Sequence, residues 1–194
     1  MSDFKIKMNE KIKTYSNKEY LNGYIKSEYL TDDGDADIFL KLKSKDDLFD
    51  SKTVYNQLDL LSDIFDYIEN KTSMLDFNIK IHLHILGINL TTKEQGMVRH
   101  IIKEHYAIEL YKIQKEYIKY RNKIIFLILF GIFSLLAYAG LYLYTDFEFF
   151  LEVLGFLFSF SLWEAFDCII YTFSDVKLER GNITQNLLMS IDFE

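Results

Sequence analysis

The sequence contains no proline and only one cysteine among its 194 residues. The lone cysteine, Cys168, cannot form an internal disulfide, so a disulfide-stabilised secreted domain is excluded. Residues 1–18 are rich in Lys, Asp and Glu and contain no uninterrupted apolar stretch. A secretory signal peptide is therefore not expected.

Basic residues are the minority among the charges, with 22 Lys and Arg against 29 Asp and Glu and a formal net charge of −7. Nucleic-acid binding depends on basic side chains that neutralise phosphates, so a simple nucleic-acid-binding protein is excluded. The sequence also lacks a glycine-rich phosphate loop, a Cys-x-x-Cys pair and a Gly-x-Ser-x-Gly motif. We expect no catalytic, cofactor-binding or metal-binding residues, and no enzymatic activity.

Lys and Arg are absent from Ile124 to Val176, although they are frequent on both sides. Residues 124–144 carry no charge and, as a helix, are long enough to cross a hydrocarbon core of about 30 Å. Residues 149–173 form a second apolar run, in which a few acids occur. Because only four residues separate the runs, we predict an antiparallel transmembrane hairpin over 123–173. The alternative is a soluble domain with two buried core helices.

The charges that flank the two runs predict their orientation. Bases outnumber acids before the first run, and Lys177 and Arg180 follow the second. The link between the runs carries Asp146 and Glu148 but no base. By the positive-inside rule, both termini lie in the cytoplasm. We expect an integral protein of a cell membrane such as the bacterial inner membrane.

Residues 1–122 are predicted to form an α+β cytoplasmic domain that includes a juxtamembrane helix. Alternating apolar and polar residues predict strands over 37–43 and 77–85, and steps of three and four predict a helix within 53–71. The alternation of Met189, Ile191 and Phe193 predicts that the C-terminal segment, 174–194, supplies a strand to the same sheet. Ser16 and Glu19 form a possible capping box at the start of a further helix.

A second capping box, Thr91 with Glu94, predicts a long helix that continues into the first membrane run. Apolar and aromatic residues along it recur at steps of four and three, which is typical of a heptad seam. Self-association through this seam and packing within the chain are equally good interpretations. Gly155 and Ser159 have the spacing of small residues at close helix contacts. The candidate self-association residues are Tyr106, Leu110, Ile113, Tyr117, Tyr120, Gly155 and Ser159.

Glu164 and Asp167 interrupt the second apolar run three residues apart, with Ser161 and Trp163 close by. A carboxylate inside a membrane costs a few kcal/mol unless it is paired, protonated or hydrated. Three interpretations are open. The span ends near Trp163 and the acids pair with Lys177, Arg180 or a juxtamembrane residue; the acids line an ion or proton pathway; or they form hydrogen bonds between helices of an oligomer.

His82 and His84 share one face of the strand predicted over 77–85. Two histidines at this spacing are a possible metal pair, but a solvated polar sheet face is the better interpretation. We expect no metal.

These patterns favour a non-enzymatic, membrane-anchored interaction or signalling module that self-associates. Its partners would be the lipid bilayer, a second copy, or another membrane or cytoplasmic protein, and not a nucleic acid. The alternative is an oligomeric pore-forming or membrane-disrupting effector that uses the intramembrane acids. A membrane enzyme that uses His82, His84 or the acids is the weakest of the three.

Overall fold

The computed structural model describes residue 11 and residues 29–50, 59–76, 78–144 and 148–194. The helix predicted after Ser16, and residues Leu58 and Phe77, lie outside these ranges. The described elements, in chain order, are β1 (Ala36–Lys41), a 3-10 helix (Lys45–Asp47), α1 (Ser62–Thr72), β2 (Ile81–Leu86), α2 (Thr92–Tyr144), α3 (Glu148–Asp167), a π-helix (Cys168–Phe173), α4 (Ser174–Leu188) and β3 (Ser190–Phe193).

The chain divides into two compact units. The sheet unit comprises residues 1–107 and 184–194, and the helical unit comprises residues 108–183. Helix and strand are therefore mixed, as the sequence predicts, and two of the helices are long and apolar enough to cross a membrane.

The sheet has three strands in the order β1-β2-β3, and both pairings are parallel. Ala36 is opposite Ile81, and Leu83 is opposite Ile191. Parallel strands need a crossover connection, which α1 provides between β1 and β2. Residues 87–189 connect β2 to β3.

One face of the sheet packs against α1 and the first turns of α2. Alternate strand residues point into this core, as the period of two requires. The rings of Phe65 on α1 and Tyr106 on α2 meet edge to face at 6.2 Å. The buried core residues are Ile38, Leu40, Ile81, Leu83, Ile85, Ile191, Ile64, Phe65, Ile68, Val98, Ile102 and Tyr106.

Long-range hydrogen bonds hold the C-terminal residues in the sheet unit. The Lys103 ammonium donates to the carbonyls of Leu187 and Met189, the latter at 2.6 Å, and burial lowers the pKa of this lysine. Arg99 donates from Nε to the Ile191 carbonyl at 3.0 Å. The backbone oxygens at the end of α4 and in β3 thereby gain partners from α2.

The strand predicted over 77–85 is wrong at its start, because β2 begins only at Ile81. The chain turns before it, where the Ile79 amide donates to the Asp76 carbonyl at 3.0 Å. The buried amide of Gln185 donates to the carbonyls of Asp76 and Ile79 at 2.9 and 2.8 Å. A glutamine 106 residues further along the chain thus stabilises the turn.

Helix α2 begins with the predicted capping box. The Thr91 amide donates to Glu94 Oε2 at 2.7 Å, and the Glu94 amide donates to Thr91 Oγ1 at 3.3 Å. The segment after the second apolar run is more helical than the sequence indicated, since α3, the π-helix and α4 form one helix of 41 residues, Glu148–Leu188. Of the C-terminal segment 174–194, only Ser190–Phe193, which form β3, join the sheet.

Candidate functional site

The helical unit exposes an unusually apolar surface. In the most apolar 18-residue windows of its two long helices, only 11% and 17% of the residues are buried. Phe133 on α2 is 68% exposed, and Trp163 on α3 is 73% exposed. Contiguous apolar surface of this extent is rare on soluble monomers and marks contact with a protein or a membrane.

Small residues bring α2 and α3 together within this unit. A Cβ atom on Gly131 would lie 3.5 Å from Ser161 Cβ, and one on Gly155 would lie 4.0 Å from Tyr138 Cε2. Ser159, the second member of the predicted small-residue pair, is exposed. Of Gly155 and Ser159, only Gly155 therefore lies at the contact between α2 and α3.

Ser161, predicted as part of an intramembrane polar strip, is 1% exposed. Its hydroxyl donates to the Leu157 carbonyl at 2.6 Å, one turn earlier in α3. Ser134 on α2 makes the same type of bond to the Phe130 carbonyl at 2.9 Å. Both hydroxyls are therefore satisfied by their own helices.

Glu164 forms an ion pair with α2. Its Oε1 lies 2.7 Å from Nζ of Lys123, the residue that precedes the first apolar run. This pairing agrees with one of the interpretations of the sequence, in which a juxtamembrane residue pairs with the acid. Neighbouring Asp167 is exposed, and within the described ranges it has no ion pair. The two acids therefore differ in environment: Glu164 is half-buried and ion-paired, whereas Asp167 is exposed.

The predicted heptad seam is occupied largely by contacts within the chain. Tyr106 is fully buried in the sheet unit, where burial, with a smaller effect from Glu69, raises the pKa of its hydroxyl. Ile113 is buried, and the Tyr117 ring lies 5.0 Å from that of Phe173. Leu110 and Tyr120 are half-buried. These contacts favour packing within the chain over self-association along this seam.

The second candidate surface is the polar side of the sheet. Opposite the core, the strands present side chains that we call the open face: Asp37, Phe39, Lys41, His82, His84, Leu86, Ser190 and Asp192.

His82 connects residues at both edges of this face. Its Nε2 lies 3.2 Å from Asp35 Oδ2, and its Nδ1 lies 2.6 Å from Ser190 Oγ. A hydrogen-bonded row thus runs from the loop before β1, across β2, to β3.

His84 lies between two carboxylates, but among the described residues only its Nε2 forms a hydrogen bond. Its Nε2 lies 3.3 Å from Asp37 Oδ1, and its Nδ1 lies 3.5 Å from Glu194 Oε1. Its ring stacks on Phe39, with the ring centroids 5.0 Å apart. The two histidines therefore bind carboxylates of the chain itself. In the part of the chain that the structure describes, no three His, Cys, Asp or Glu side chains are placed to hold a metal ion.

Sequence reasoning placed both histidines on one strand face but missed their partners. Asp35 and Asp37 are each 47 residues from the histidine they contact, and Ser190 is 108 residues from His82. The alternation of polar residues within each strand identifies the side chains on this face. It does not show which residues of neighbouring parallel strands lie side by side.

Comparison with known proteins adds no assignment: no protein-family model, curated protein or solved structure matches the chain significantly.

Proposed function

We propose that this protein is a non-enzymatic, membrane-anchored interaction module. Helices α2 and α3 cross a cell membrane as an antiparallel hairpin through residues 124–144 and the apolar part of 149–173. The sheet unit lies in the cytoplasm and binds a protein partner. The observation that carries the proposal is the exposed apolar surface of the two long helices.

A bilayer is the environment that best fits this surface. Every backbone group inside a membrane must find a partner, and continuous helices meet this requirement internally. Large exposed side chains such as Phe126, Phe133 and Phe156 then contact lipid instead of water. Glu164, inside the second apolar run, pairs with Lys123, which directly precedes the first. The acid is therefore compatible with a position at the membrane interface.

The pore-forming alternative has less support. Two helices cannot enclose an aqueous channel, so a pore would need several copies. Of the polar groups that were expected to line it, the Ser161 hydroxyl bonds to its own helix and Glu164 pairs with Lys123. Of the two acids expected to line the pore, only Asp167 is exposed.

Membrane anchoring is tested by alkaline carbonate extraction of membranes from expressing cells. We expect the wild-type protein to stay in the membrane pellet. The double variant Phe133→Arg/Leu136→Arg should be lost from it, because each Arg at the centre of a span costs about 2.5 to 3.5 kcal/mol.

The matched control is Ile108→Arg/Tyr111→Arg, which changes two exposed residues of the same helix before its apolar run. This variant should stay in the pellet. Extraction of the wild-type protein by carbonate would overturn the proposal, as would retention of the Phe133/Leu136 variant.

A further inference from the structure

The open face is an unusual feature for a parallel sheet. Parallel sheets are normally covered on both faces. Among the residues that the structure describes, the core covers one face, while on the other Phe39 is 52% exposed and Asp192 is exposed. A large exposed aromatic side chain on a polar, accessible face is typical of a binding surface.

The edges of the sheet are less available to a partner. On the β1 side, Tyr67 Oη donates to the Phe39 carbonyl at 2.8 Å. On the β3 side, Arg99 donates to the Ile191 carbonyl, and its guanidinium lies 4.9 Å from the Phe193 ring centroid. These side chains occupy carbonyls that an added strand would need. A partner is therefore expected to approach the open face and not to extend the sheet.

The charges on this face select the chemistry of the partner. Carboxylates lie along it from the loop before β1 to the residue after β3. The bases beside them are Lys41 in β1 and Lys80, which directly precedes β2 and lies near His82 and Ser190, so the four carboxylates outnumber the bases. The ring of Phe39 on edge strand β1 stacks on the ring of His84 on the central strand β2. Cations bind both to carboxylates and to aromatic faces, and Arg does so best. The carboxylates are those of Asp35, Asp37, Asp192 and Glu194.

We propose that the open face docks an Arg- or Lys-rich segment of a separate protein. A guanidinium of that segment stacks on Phe39, and its neighbouring bases pair with Asp37, Asp192 and Glu194. This inference rests on the proposed function, because it names the partner of the membrane-anchored module.

The test uses the full chain in discs of zwitterionic lipid and a fluorescent peptide of alternating Arg and Leu, with binding followed by anisotropy at about 150 mM salt. A peptide in which Glu replaces Arg is the probe control. The wild-type protein should bind the Arg peptide and not the Glu peptide. The triple variant Asp37→Asn/Asp192→Asn/Glu194→Gln should bind it about tenfold more weakly. Phe39→Ala, which leaves every charge in place, should weaken binding about fivefold.

The matched control for charge is Asp46→Asn/Asp63→Asn/Asp66→Asn, which removes three exposed carboxylates of the same unit away from the open face. This variant should bind the Arg peptide within about twofold of wild type. Equal weakening in both triple variants would mean general attraction to an acidic protein and would overturn the proposal. Absence of binding to a wild-type protein that is correctly inserted in discs would overturn this inference alone, whereas failure to insert would overturn the proposed function.

Discussion

The ammonium of Lys123 lies 2.7 Å from Oε1 of Glu164. This pair connects the residue just before the first apolar run to an acid well inside the second. The sequence alone left three roles open for that acid, and the ion pair favours the structural one. Because Glu164 pairs with a residue just outside the first run, the proposed membrane segment of α3 is expected to end close to Trp163.

Charge reversal tests this pair. Lys123→Glu and Glu164→Lys should each lower the free energy of unfolding in micelles, since each places like charges side by side. The double reversal should recover about 0.5 kcal/mol relative to the sum of the single effects, because both side chains are partly exposed. Strictly additive effects would show that the contact contributes nothing.

Close packing of α2 on α3 predicts a strong size limit at Gly131. Alanine fits there, because its Cβ would lie at an ordinary 3.5 Å from Ser161 Cβ. Gly131→Leu should lower the free energy of unfolding by about 1 to 3 kcal/mol through overpacking. Gly140→Leu is the matched control, since open space surrounds that position in the same helix. Equal thermal stability of the two leucine variants would contradict the helix contact.

The buried hydroxyl of Tyr106 makes no hydrogen bond to any residue that the structure describes. Tyr106→Phe should therefore leave the free energy of unfolding unchanged or raise it by about 1 kcal/mol. Tyr106→Ala should lower it by about 3 to 5 kcal/mol, because it leaves a cavity beside Phe65. Chemical denaturation measures both. A marked loss of stability in Tyr106→Phe would show that the hydroxyl is important to the fold.

The start of α2 predicts an acid-sensitive contribution to stability. The Lys45 ammonium, 2.6 Å away, and hydrogen bonds from Thr91 lower the pKa of Glu94 from 4.5 to about 2. A carboxyl with a lowered pKa stabilises the folded state above its unfolded pKa, and this contribution is lost as the pH falls toward the folded value. The stability advantage of wild type over Glu94→Gln should thus be complete above pH 4.5 and disappear near pH 2.

Glu116→Gln, at an exposed position of the same helix, controls for removal of one negative charge. An advantage over Glu94→Gln that persists unchanged to pH 2 would contradict the role of the Glu94 carboxylate.

Local features of the fold were predictable from the sequence, while features that depend on distant partners were not. The capping box of Thr91 and Glu94 and the 21-residue uncharged run need only neighbouring residues, and both predict helix. The end of the second long helix was missed, since the contacts of Gln185 lie more than 100 residues away. The direction of the strands was also open, because alternation is the same in parallel and antiparallel sheets.

The same reason limited prediction of the candidate site. His82 and His84 were correctly placed on one strand face, but their carboxylate partners come from both edges of the sheet. Tyr106 fitted a heptad seam by its spacing, and only the position of Phe65 shows that it belongs to the core. Periodicity identifies the buried side of a helix without identifying what covers it.

The sidedness of single cysteines in sealed membrane vesicles tests whether α2 and α3 cross the membrane as a hairpin. Cys168→Ala gives a cysteine-free background, into which Asp63→Cys, Asp146→Cys and Lys177→Cys are introduced one at a time. With an impermeant maleimide, we expect Asp63→Cys and Lys177→Cys to react from the cytoplasmic side and Asp146→Cys only from the opposite side. Reaction of all three from the same side would contradict a membrane-spanning hairpin.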